Sequence, residues 1–249
     1  MKKLALAALL LVVMTTPVMA KTVFDLNNFQ GLTDAQDQFK KFSTDFGLAI
    51  SYVPLAPAAP LGGILPGFDA GVEVTMVKID KNASYWKAAG TDIPSALPIP
   101  KLHIQVGLPV IPIDLGYSYS SVPGTDIKLS GYELKYAILK GGIVMPALAI
   151  RGAMTSLKGV DALDLSTKSL DLSISKGFLM FTPYAGIGKV WIDSKPKDPD
   201  VAALLKKESI AETKSFLGLK MSLLPVLNIV AEADFAKVKA YSFRLNLHF

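Results

Sequence analysis

The chain of 249 residues has no cysteine. That excludes disulfides, thiolate metal sites and lipid attachment at a cleavage-site Cys. Histidine is almost as scarce, with only His103 and His248. Two imidazoles so far apart in the chain are poor material for a metal centre. No Gly-x-Ser-x-Gly or His-x-x-Glu-His pattern and no Gly-rich phosphate loop is present, so neither catalysis nor a cofactor is expected. Beyond residue 20 there is also no uninterrupted apolar run of the length a spanning helix needs. The richest stretch, Leu139 to Leu157, is broken by Gly141, Gly142, Pro146 and Arg151. A formal charge of +5 falls to +3 once Lys2 and Lys3 are set aside, too mild a balance to argue for nucleic acid.

What is present sits oddly with those absences. Half the residues are apolar (51%) and mean hydropathy is +0.39, high for a soluble domain. Lys2 and Lys3, an apolar run from Leu4 to about Met14, and Val18-Met19-Ala20 form the layout of a cleavable secretory signal over residues 1–20. At the other end Tyr241, Phe243, Leu245, Leu247 and Phe249 alternate with Ser242, Arg244, Asn246 and His248. Period two over ten residues is a two-faced strand of the length a tilted bilayer crossing requires.

The same alternation recurs at 68–79, 101–108, 113–121, 129–139, 143–154, 169–176, 181–192, 215–223 and 226–234, and Phe46 to Val53 reads as a first strand. With the terminal strand this makes eleven. For 181–192 the facing stays open, with either Tyr184, Gly186, Gly188, Val190 and Ile192 or Ala185, Ile187, Lys189 and Trp191 turned outward. Residues 21–45 open a helical pattern, with Phe39, Phe42 and Phe46 at spacings of three and four. They suggest a helix at a barrel mouth or a plug within the lumen. Pro54 to Pro66 holds four prolines that cannot donate to a ladder and reads as an unusually apolar loop. Asp198-Pro199 opens a short helix.

High hydropathy spread through short alternating segments requires a closed sheet, because unpaired backbone in lipid is too costly. The terminal aromatic strand resembles that of bacterial outer-membrane β-barrel proteins, among them small uncharacterised proteobacterial barrels. The resemblance implies outer-membrane localisation after cleavage near Ala20 and contact with outer-membrane lipids. It also implies recognition of Tyr241, Phe243, Leu245, Leu247 and Phe249 by the barrel-assembly machinery, with the terminal Phe at the periplasmic rim. The expected fold is an all-β transmembrane antiparallel up-and-down barrel over 46–249. Twelve strands are the first choice, the twelfth drawn from 22–29, and ten the second, since such barrels have even counts.

The polar faces are expected to line the lumen with Asp69, Glu73, His103, Asp114, Glu133, Lys135, Arg151, Asp171, Lys220, Glu232 and Arg244. Mixed signs read as a paired structural network or as a filter for small polar solutes. The expected function is therefore structural or channel-type. A lipid or peptide hydrolase using His103 is one alternative, and a secreted soluble β-protein binding an apolar ligand is another. Tyr52, Tyr117, Tyr119, Tyr132 and Tyr136, with Tyr241, Phe243 and Phe249, are assigned to outward girdles.

Overall fold

A computed structural model describes residues 25–90, 93–122 and 125–249; the signal at 1–20 and its cleavage near Ala20 lie outside them. Ten strands form a closed antiparallel barrel with each strand beside its chain neighbour: β1 (Gly67–Lys78), β2 (Ala96–Gly107), β3 (Ile113–Ser121), β4 (Lys128–Lys140), β5 (Ala147–Lys158), β6 (Leu163–Ser175), β7 (Phe181–Pro196), β8 (Glu208–Leu224), β9 (Leu227–Phe235) and β10 (Lys239–His248). The seam between β1 and β10 pairs Glu73 with Arg244 and Asp69 with His248. Beyond it Phe68 and Phe249 exchange both backbone bonds, at 2.8 and 2.9 Å.

The structure corrects the strand number of twelve to ten. The segment read as a first strand, Phe46 to Val53, belongs instead to helix α1 (Ala35–Ile50) and the extended chain after it. The region offered for a twelfth strand holds a 3-10 turn at Asn27–Gly31. The barrel wall therefore begins at Gly67 rather than near residue 46. Leu48, Ile50 and Tyr52 do alternate, but α1 is buried on most sides, so its apolar residues satisfy both periods at once.

Two longer connections also resolve differently. Nearly half of 193–212 is strand, because β7 and β8 outrun the apolar belt and the outward positions of β7 become Lys189, Asp193 and Lys195, which erases the alternation. Within it α3 (Pro199–Leu204) is capped by the Asp198 side chain as expected. At 80–100 a helix α2 (Ser84–Ala89) precedes β2, whose first residues include Pro98 and Pro100. They fit because β3 pairs only with Leu102–Gly107, so no neighbour on that side asks for their missing N–H.

Polarity runs outward to inward as in a transmembrane barrel. Leu102, Leu134, Leu170, Leu217 and Phe243 are exposed on the outer face, while the charged residues between them are buried in the lumen. On β7 the open facing resolves to Ala185, Ile187, Lys189 and Trp191 outward, with Tyr184, Val190 and Ile192 buried inside. One end of the barrel carries α2, α3 and the longer connections. The other carries only short turns and the C-terminus.

Helix α1 fills the first end. Its Phe39, Phe42 and Phe46 pack with Phe29 and Trp86, Ser43 bonds Ser194 at 2.8 Å, and Gly47 lies where any Cβ would strike the Ile192 side chain. Asp45 holds α2 onto α1 by accepting from the Tyr85 hydroxyl at 2.9 Å and the Trp86 indole at 3.4 Å. Burial raises the Asp45 carboxyl above its ordinary value despite these donors. A raised carboxyl contributes stability that is complete below 3.8 and is lost as pH rises through its folded value. Trp86 emission is expected to report looser docking of α2 as pH rises through that window. An Asp45→Asn variant that keeps the same pH dependence would contradict this.

Candidate functional site: a threaded lumen

From Ser51 to Leu61 the chain runs without regular secondary structure through the lumen, from the helix end to the turn end, where a short exposed turn leads into β1. Most of the Pro54 to Pro66 stretch, up to Leu61, is thus a lumen segment rather than a surface loop, and its composition now has a physical cause. A chain inside a barrel has no strand partner, and prolines remove donors that nothing could receive while leaving carbonyls to accept.

Wall cations supply the donors. Lys214 donates to the Tyr52 carbonyl at 3.2 Å, Arg244 to Leu55 at 2.6 Å, Arg151 to Ala56 at 3.4 Å, and Lys135 to Pro57 and Ala59 at 3.0 and 2.9 Å. Several of the segment's amides find wall acceptors. Leu55 donates to Glu232 at 3.1 Å, Ala58 to the Ser175 hydroxyl at 3.0 Å, and Leu61 to both Asp114 oxygens at 3.0 Å. Leu55 has φ of 44°, a left-handed conformation that L-residues avoid, and it is clamped there by Glu232 on its amide and Arg244 on its carbonyl.

The wall charges are also paired with one another. Lys135 meets Asp114 at 2.7 Å, Arg151 meets Glu133 at 3.0 Å, Lys214 meets Asp171 at 3.4 Å, Lys101 meets Glu73 at 3.4 Å, and Arg244 lies 3.8 Å from Asp69. Gln105 donates to Glu133 and Asn246 to Asp69. Almost every residue expected in the lumen therefore lies there, buried: Asp69, Glu73, His103, Asp114, Glu133, Lys135, Arg151, Asp171, Glu232 and Arg244. Lys220 stands half-buried nearer the turn end. Tyr52 does not join an outward girdle. It is buried on the threading segment, its hydroxyl 3.4 Å from His103 Nε2, while Glu73 lies 3.2 Å from His103 Nδ1.

The sequence reading missed the segment 51–66 itself, together with Lys214, Lys101 and Ser175. Lys214 and Lys101 sat at the ends of the expected strands or outside them. The one available signal was the coincidence of four prolines with apolar residues in a supposed aqueous loop. Tyr184 and Gly218 complete the packing. Tyr184 donates to Glu232 at 2.7 Å, and its ring occupies the place a Cβ on Gly218 would take. Gly218→Ala is expected to lower unfolding stability by about 1–3 kcal/mol by displacing that ring. An unchanged denaturation midpoint in lipid vesicles would contradict it.

Comparison with known proteins finds no matching family model and no matching curated protein. Among solved structures, the chain is similar to the translocator domain of the autotransporter NalP from Neisseria meningitidis (10% identity, 92% of this chain and 99% of that one, TM-score 0.37). It is similar also to the outer membrane protein OprG from Pseudomonas aeruginosa (11%, 78% and 99%, TM-score 0.33). A third is Ail, the attachment invasion locus protein of Yersinia pestis (13%, 74% and 97%, TM-score 0.29). Overlap at these scores assigns no role to any residue of this chain.

Proposed function

We propose that this chain is a bacterial outer-membrane barrel of channel type, kept closed by its own N-terminal segment. The outward apolar face and the buried, sign-balanced lumen support the membrane placement. On this reading lipid meets the outer face, and Tyr241, Phe243, Leu245, Leu247 and Phe249 serve the assembly machinery during insertion. The single observation that carries the channel reading is how the threading segment is held. Its polar contacts with the wall are bonds to side chains, most of them charge-assisted and each replaceable by water, rather than a strand ladder, and Val53 and Leu55 pack on Tyr184, Phe216 and Val230 beside them. Loosening it from the wall would open a passage beside it, lined by Asp, Glu, Lys and Arg side chains and suited to small polar solutes.

The test uses the absence of native cysteine. Ala58→Cys with Ser175→Cys joins the segment to the wall at a place where the two already touch. In planar bilayers the oxidised protein is expected to stay silent and the reduced protein to show openings. Equal currents in both states would sink the reading.

The hydrolase alternative rests on His103. That imidazole is 1% exposed, lies behind Tyr52, and has both ring nitrogens within reach of Glu73 and Tyr52 rather than of a serine. His103→Ala is expected to leave membrane insertion intact and to abolish no lipid or peptide hydrolysis. Hydrolysis by the parent protein that disappears in this variant would reverse the assignment.

A further inference from the structure

The short-turn end of the barrel has an unusual surface. Leu65, Val110, Ile143, Val144, Leu179 and Phe249 project from it, with Ile143 99% and Leu179 fully exposed. No acidic residue occurs in the turns at 61–66, 108–112, 141–146, 176–180 and 225–226. The apolar outer face of the strands thus continues over the turn tips without a polar rim.

Part of the backbone of these turns is satisfied within the protein. Phe178 and Phe181 exchange both bonds, Gly142 donates to Met145 at 2.9 Å, and Val110 donates to Gly63 at 2.7 Å. Lys176 donates to the carbonyls of Gly142 at 2.8 Å, Ile143 at 2.6 Å and Met145 at 3.3 Å, and Lys140 donates to that of Val110 at 3.3 Å. In water these carbonyls would be solvated at no effort. Lysine donors aimed at them suit a place where water is scarce. Val110 and Leu179 also take left-handed conformations, with φ of 67° and 52°, at positions where a water-facing turn would carry Gly or Asn.

The height of the belt points the same way. On β6 the first outward charge, Lys168, stands seven residues from Ser175 at the turn end. At ~3.3 Å per residue and ~40° of tilt that is about 18 Å, short of the ~25 Å apolar band such barrels present. The missing height is supplied at that very place by the turn through Phe178, Leu179 and Met180.

We propose that the turn end does not project into water but is immersed in lipid, its tips among acyl chains near the headgroup boundary. This rests on the reading that the barrel spans a membrane, and the test separates the two. Val144→Cys, Leu179→Cys, Leu134→Cys on the outer belt and Asp161→Cys at the opposite end are each labelled with an environment-sensitive fluorophore. The labelled proteins are then placed in phosphatidylethanolamine–phosphatidylglycerol vesicles. Labels at 144 and 179 are expected to emit to the blue of the label at 161, to be quenched by doxyl-labelled lipid, and to resist iodide. Water-like emission and iodide quenching at 144 and 179, with 134 still reading lipid, overturns the proposal while leaving the barrel in its membrane; a soluble protein partner for this face would give the same result. Water-like emission at 134 as well overturns the membrane reading and this proposal with it.

Discussion

Deleting residues 25–66 is expected to turn a barrel that opens only briefly into one with a steady open level in planar bilayers. The wall starts at Gly67 and closes through β1 and β10 without help from the deleted stretch, so closure does not depend on it. What the deletion removes is the occupant of the lumen: α1 in one half and the carbonyl-rich thread in the other. The cations that lose carbonyl partners, Lys135, Arg151, Lys214 and Arg244, keep Asp114, Glu133, Asp171 and Asp69 beside them. The emptied wall is thus paired and close to neutral, and weak ion selectivity is expected with the open level. A deletion variant that inserts, shifts on gels with heating and still blocks current would mean that the wall side chains alone fill the interior, and the channel reading would fail.

The second large effect lies in the wall. Arg151 is fully buried, 3.0 Å from Glu133 and 3.4 Å from the Ala56 carbonyl. Arg151→Met leaves the Glu133 carboxylate without its cation in a site closed to solvent. Removing one member of such a pair costs about 3–5 kcal/mol, whereas replacing both by neutral groups is often tolerated. Arg151→Met should therefore lower the temperature of the heat-induced gel shift sharply, and Arg151→Met with Glu133→Gln should restore much of it. If the double variant loses the sum of the two single losses, the pair is not coupled and the account of the wall is wrong.

These expectations also mark how far the sequence could be read. Strands such as β5 and β6 were legible because lipid on one side and a charged lumen on the other force opposite chemistry on successive residues. Leu170, Leu172 and Ile174 therefore alternate with Asp171 and Ser173. That contrast fades where β7 and β8 rise past the apolar belt, so their upper halves resembled a loop. It vanishes for the second half of α1, where every residue from Phe42 to Ile50 except Asp45 is buried. The lumen charges could be placed by parity alone, down to Asp69 and Arg244 at the seam. Their occupant could not, since a thread without secondary structure leaves no period to detect. Only the prolines hinted at it, and their sense depends on donors that lie far off in the chain.

The path of the thread also fixes an order of events in assembly. Residues 51–66 enter at one mouth, leave at the other and continue directly into β1, whose partner at the seam is β10, nine strands further along the chain. A cylinder already shut would have to admit α1 and its cluster of Phe39, Phe42 and Phe46 end-on through the space those side chains fill. The sheet must therefore curl around its own leading segment, and zipping of the first strand to the last is the step that traps it.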